Sequence, residues 1–294
     1  MDFGLLKGEL VWFTATDGVE LAGFLSRPPR AKGIVIHVHG LTGNFYGYRA
    51  RIVGGLASEL NRRGIALLSI ATRGSYVVSR VWKTARVRRK MLYAGGGLER
   101  FEECVRDIEG AIRFARRLGF RKVWLSGHST GCQKIVYYQA RKRNRLVRGL
   151  VLLAPGDDLN VWRKELGRKF GATVALARKI ARNTPGALMP FGMVNGYVCS
   201  ARRFLSLTDA RSVEGNIFNY ELPRLRVLAR VRVPVLVVWG SEEEFALRPL
   251  REYDELIAKS VRAPLSVAIV KGANHGFRWK ERELAGVVSR WLTA

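Results

Sequence analysis

The sequence predicts an α/β fold: a mostly parallel central β-sheet with helices on both faces, carrying one helical lid insertion. Two observations predict it. Short β-branched apolar runs alternate with longer stretches of helical periodicity along most of the chain, and strands separated by helices pair in parallel under a helical cover. The alternation lapses only between Gly156 and about Leu222, and then resumes. The expected organisation is therefore a core made of residues 1–155 and 223–294, with residues 156–222 as a lid.

Taken in order, Glu9–Thr14 and Glu20–Ser26 alternate in polarity and flank Asp17-Gly18, a hairpin turn signal. Gly33–Val38 (GIVIHV) and Ile65–Ile70 have the continuous apolar character of strands buried on both faces. Between them Tyr48–Arg63 has helical spacing and stops at Gly64. Thr72–Gly97 is basic, ends in glycines and reads as irregular. Leu98–Leu118 reads as an amphipathic helix with Glu99, Glu102 and Glu103 early and Arg116 and Arg117 late, the order the helix dipole favours. Then come a strand (Lys122–Ser126), a helix (Ser129–Arg141) and a strand (Leu150–Leu153). After the lid, whose helices break at Asn183–Gly186, strands Pro234–Trp239 and Leu265–Val270 alternate with helices Pro249–Ser260 and Glu281–Leu292.

The 294 residues are 48% apolar, enough for a sizeable core in a soluble protein. No run approaches the length of a membrane span. Met1–Phe13 holds Asp2 and lacks the basic and apolar regions of a secretory signal, so a cytoplasmic location is expected. Cys104, Cys132 and Cys199 lie far apart and read as reduced thiols rather than as a disulfide frame or a zinc site.

Charge is the unusual feature. Against 51 Lys and Arg stand 24 Asp and Glu, so 27 basic groups have no acidic counterpart, a balance that favours anionic partners in general. Residues 113–148 hold eleven basic residues and no acid. Five of these (Arg116, Arg117, Arg141, Lys142, Arg143) fall at predicted helix C-termini, so the cluster reads as a solvated, dipole-favoured surface. Residues 72–100 hold eight basic residues and one acid after the carboxyl end of a strand, where open α/β sheets place their sites, and would draw an anionic substrate. Neither cluster has a nucleic-acid motif or interleaved aromatics, and nucleic acid is not an expected partner.

The strongest chemical signal is Gly127-His128-Ser129-Thr130-Gly131, set between a predicted strand and a predicted helix. Glycines flank the serine because so tight a turn leaves no room for side chains. The turn would expose the hydroxyl at a helix N-terminus, where the Thr130 amide can meet a developing oxyanion. A serine hydroxyl needs a base. In the strand–elbow–helix arrangement the chain order is serine, acid, histidine, and of the four histidines (His37, His39, His128, His275) only His275 follows Ser129. Glu242, Glu243 and Glu244 follow the Pro234–Trp239 strand and are candidate acids; Asp157 and Asp158, after the strand that precedes the lid, are rivals. His39-Gly40-Leu41-Thr42-Gly43-Asn44 follows the GIVIHV strand, and His37 reads as a core or network histidine.

Together the strand order, elbow, His-Gly loop, glutamate run and terminal histidine resemble the α/β-hydrolase superfamily over the whole chain except residues 75–97 and the lid. The string GHSTGCQ further resembles an esterase group that includes fungal siderophore hydrolases, although Lys134 follows it here where that group has an acidic residue. The resemblance implies a serine hydrolase acting by an acyl-enzyme on a small carboxylic ester, without metal or organic cofactor. It points to Glu243, three residues after Gly240, as the triad acid, with Glu in place of the commoner Asp. It also implies the Leu41 amide as second oxyanion donor, Gly40 allowing close approach and His39 ordering the loop. An amidase or peptidase using the same residues, and a non-catalytic anion- or nucleic-acid-binding protein on a hydrolase scaffold, are the alternatives.

Overall fold

The computed structural model describes residues 6–47, 50–85 and 88–294. The opening hairpin is β1 (Glu9–Thr14) and β2 (Glu20–Ser26), followed by β3 (Gly33–Val38), α1 (Ala50–Arg62) and β4 (Ile65–Ile70). The expected helix start at Tyr48 lies outside the described residues. Next come β5 (Ser79–Ala85), β6 (Arg88–Ala94), α2 (Cys104–Arg117), β7 (Val123–His128), α3 (Thr130–Lys142) and β8 (Val147–Leu153). Helices α4 (Asp158–Leu166), α5 (Phe170–Asn183) and α6 (Ala201–Thr208) occupy the interval where the strand–helix alternation lapses. The chain closes with β9 (Val235–Glu242), α7 (Leu250–Ser260), β10 (Leu265–Asn274) and α8 (Glu281–Thr293).

Eight strands form one sheet in the order β1-β2-β4-β3-β7-β8-β9-β10, antiparallel only where β2 meets β1 and β4. This is the mostly parallel α/β-hydrolase architecture, with α1 packed on α8 and α2 on α3. The inner strands β3 and β4 are buried at every position, as their unbroken apolar runs require of strands covered on both faces.

Two sequence expectations are corrected. Residues 72–97 are not irregular throughout: β5 and β6 form a separate antiparallel hairpin, with Trp82 opposite Met91 and Arg80 opposite Tyr93. Basic residues on both of its faces hide the alternation that marks a strand. The helix expected from Leu98 begins as a 3-10 turn at Phe101 and becomes α-helical only at Cys104. Glu99 is thus no first-turn dipole partner; it is buried against Lys134.

That pairing starts a chain of buried charges that ties α6 to the core. Lys134 Nζ lies 2.7 Å from Glu99 Oε1, and Glu99 Oε2 lies 3.6 Å from Arg203 Nη2. Arg203 also donates to Glu214 through both Nη atoms and, at 2.9 Å, to the Gly96 carbonyl through Nε. All four side chains are at most 1% exposed. Burial alone would raise the Glu99 carboxyl, but Lys134 and Arg203 outweigh it and hold the group below its ordinary range. Lys134 is therefore not part of the solvated basic surface in which the sequence placed it.

A second apolar cluster, including Trp162, Val174 and Phe204, lies within the α4–α6 helices, while Ile217, Phe218 and Tyr220 already pack in the main core. Arg203→Met would leave Glu214 buried without its partner. It is expected to lower unfolding free energy by about 3–5 kcal/mol in urea titrations, whereas Arg113→Ala, breaking an exposed pair with Glu109, should cost under about 1 kcal/mol.

Candidate active site

Ser129 sits between β7 and α3 with φ 55° and ψ −128°, a left-handed conformation that a non-glycine residue adopts only under tight constraint. Its N–H donates to the Leu153 carbonyl at the end of β8 (2.9 Å), and its own carbonyl accepts from the Cys132 N–H (2.8 Å). A side chain at Gly131 would overlap the Val38 carbonyl, so glycine is what lets α3 press against β3. Thr130 is the first residue of α3, where backbone N–H groups have no partner within the helix.

The loop after β3 closes on the same point. A Cβ at Gly40 would come within 2.9 Å of Ser129 Cβ, so glycine permits the approach. His39 organises this loop from below: Nδ1 donates to the Gly40 carbonyl (2.7 Å), and Nε2 accepts from the Thr72 N–H (3.1 Å) and faces the hydroxyls of Thr72 and Ser75. Burial, reinforced by the Lys134 charge, lowers the His39 pKa to about 3, so the ring is neutral. Leu41 is half-buried and packs against the apolar cluster of the α4–α6 helices.

His275 follows β10, whose ladder shifts register between Val270 and Asn274 and extends beyond the Val270 end expected from sequence. Its Nδ1 lies 2.7 Å from Glu243 Oε1, and its backbone N–H donates to Glu244 Oε2, also at 2.7 Å. Both partners of the ring contact are nearly buried, with side-chain exposures of 6% and 3%. His128, one residue before Ser129, donates from Nε2 to the His275 carbonyl (2.8 Å), tying the histidine loop to the elbow. Phe245 lies edge-on to the His275 ring at 4.8 Å and is exposed.

The rival acids lie elsewhere. Asp157 caps α4, accepting from the Asn160 N–H (3.1 Å), and also binds the Asn160 side chain and the Tyr220 N–H. Asp158 accepts from Gln133 Nε2 (2.6 Å); burial, then the Glu214 charge, pushes its pKa up to about 8. Glu242 ends β9 opposite Asn274. His37 is buried, its Nδ1 3.1 Å from Ser126 Oγ. The structure thus sets Gly40 against Ser129 and Glu243 against His275 at the carboxyl ends of β3, β7, β9 and β10, and the His128–His275 hydrogen bond joins the two pairs. Sequence reasoning did not find the roles of His128 and Glu244; the one available signal was their adjacency to Ser129 and Glu243.

Among the described residues no group of three or more His, Cys, Asp or Glu could hold a metal ion, and no helix is long and apolar enough to cross a membrane. All three cysteines are buried and unpaired.

Comparison with known proteins places the fold. No curated protein matches the sequence. Among solved structures, the siderophore hydrolase EstB from Aspergillus fumigatus is similar over 100% of this chain and 99% of its own, with TM-score 0.71 and 20% identity. Est1E from Butyrivibrio proteoclasticus is similar over 98% of both chains (TM-score 0.61, 17% identity). A monoacylglycerol lipase from Paleococcus ferrophilus matches over 92% and 98% (TM-score 0.62, 22% identity). At these identities the likeness is one of fold. Over residues 30–292 the sequence matches the family described as protein of unknown function DUF1749, and the chain belongs to that family, in the α/β-hydrolase fold.

Proposed function

We propose that this chain is a serine hydrolase that cleaves a small carboxylic ester through an acyl-enzyme. The observation that carries the reading is the 2.7 Å contact between His275 Nδ1 and the buried Glu243 carboxylate, with the His275 loop tied by a hydrogen bond to His128, the residue preceding Ser129. Glu243 then holds the imidazole with Nε2 as the basic nitrogen and stabilises the imidazolium formed when Ser129 gives up its proton. Ser129 attacks the ester carbonyl, and the amides of Thr130 and Leu41 receive the oxyanion. The alcohol leaves with the proton carried by His275, and water repeats the sequence on the acyl group. Glu244 anchors the backbone of the base rather than its ring. The α4–α6 helices, packed on Leu41, act as a lid over the site. Esterases and a lipase among the structural neighbours agree with ester chemistry.

Ser129→Ala is expected to abolish turnover of short-chain p-nitrophenyl esters without altering the circular dichroism spectrum. A fluorophosphonate probe should label the wild type at Ser129, and labelling elsewhere would sink the reading. Matched p-nitroanilides separate an esterase from an amidase that uses the same residues.

Replacing each carboxylate with its amide should rank the acids. Glu243→Gln removes the charge facing the imidazolium and should lower kcat by about 10⁴, the loss known for a triad acid in another serine hydrolase. Glu244→Gln keeps an acceptor for the His275 N–H and should cost far less, and Asp157→Asn should change stability more than turnover. A ranking led by Asp157 would require a different acid. His275→Ala should lose several orders of magnitude, while His37→Ala loses little.

A further inference from the structure

The six adjacent parallel strands, β4-β3-β7-β8-β9-β10, all start at the sheet edge opposite Ser129 and His275. Within three residues before each stands an exposed cation: Arg63, Lys32, Lys122, Arg145, Arg232 and Arg262 respectively. These come from six segments distant in sequence, so only the topology assembles the row. At about 4.8 Å between strands it runs for about 24 Å. Among the described residues Arg63 alone of the six has a carboxylate within ion-pair distance, that of Glu59.

The helix-dipole explanation covers Arg117 and Lys142, which end α2 and α3, but not cations at the starts of strands. A second feature lies on the same edge. A cleft of about 930 Å³ is lined by Arg211, Arg224, Arg226, Arg230, Arg232 and Arg262 and by no acidic residue. Among the described residues only Arg211 of these is paired with a carboxylate, that of Asp209.

We propose that this edge is a binding surface for the phosphodiester backbone of a nucleic acid, read without regard to sequence. Guanidinium groups match phosphate oxygens in bidentate fashion, and the chain carries them in excess of lysine. The row is long enough to follow about seven phosphates of one strand. A bilayer would call for exposed aromatic anchors beside the cations. The exposed aromatic side chains, such as Trp12, Trp82, Tyr93 and Phe191, lie away from the strand starts and the arginine cleft, where the exposed large side chains are aliphatic: Val213 in the cleft and Val267 near the start of β10. The bound polyanion leaves the Ser129 edge open, and the inference does not depend on the ester reading.

The test is fluorescence anisotropy of a labelled mixed-sequence DNA duplex titrated with the full chain over a range of salt. The wild type is expected to bind with a steep negative dependence of log affinity on log salt. Arg230→Gln, Arg232→Gln and Arg262→Gln combined should weaken binding about 10²-fold near physiological salt and flatten the slope by about one per arginine removed. Lys122→Gln with Arg145→Gln, at the neighbouring strands, should move both quantities the same way. The control, Arg80→Gln, Arg88→Gln and Lys90→Gln on the β5–β6 hairpin, removes equal charge and should retain most of the affinity. Equal losses from edge and control would overturn the proposal in favour of net charge alone. Absence of duplex binding at physiological salt, or tighter edge-dependent binding to phosphatidylglycerol vesicles than to the duplex, would overturn it as well.

Discussion

The turn at Ser129 is the constraint on which the rest of the site depends. Holding a serine at φ 55° costs on the order of 1–3 kcal/mol, and the conformation persists because its surroundings leave no alternative. The Ser129 amide is bonded to the end of β8, α3 is pressed against β3 at Gly131, and Gly40 is packed on the serine itself. Together these contacts require β3, β7 and β8 to end at the same height. A sheet of adjacent parallel strands does this, so the fold and the elbow are one requirement seen at two scales.

Around this turn the molecule places its ionisable groups by pairing them. Glu243 and Glu244, adjacent in sequence, divide one histidine between them: one faces the ring and the other the backbone N–H. The chain leaves β9 at Glu242 and turns, with the Ala246 N–H donating to the Glu243 carbonyl, so the adjacent acids reach different targets. Lys134, Glu99, Arg203 and Glu214 form a neutral buried set, in which each charge is compensated where water is excluded. His39, near the same set, stays neutral and so can accept the Thr72 N–H while donating to Gly40.

The excess of positive charge is also ordered in space. Before the six parallel strands stands a row of exposed cations, of which Arg63 alone has a carboxylate within ion-pair distance among the described residues. The proposed hydrolase site and the proposed phosphate-binding edge thus lie at opposite ends of the parallel strands, with the sheet between them.

The sequence by itself determined the strands of the main sheet and the elbow, and it singled out His275 with a glutamate run and Asp157 and Asp158 as its candidate acids. Buried parallel strands must be continuously apolar, and the strand-to-helix turn admits only small residues beside Ser129, so both leave local signatures. It left open which acid meets His275, because Glu242, Glu243 and Glu244 differ only in direction, and direction is set by the β9–β10 register. It misplaced Glu99 and Lys134, since a buried ion pair between residues 99 and 134 looks, residue by residue, like two exposed charges. The β5–β6 hairpin was illegible because its faces are not divided by polarity. The cationic edge escaped for a related reason: its members are spread from Lys32 to Arg262 and become neighbours only when strand order brings them there. Local chemistry is written in the chain, whereas the meeting of distant residues belongs to the topology.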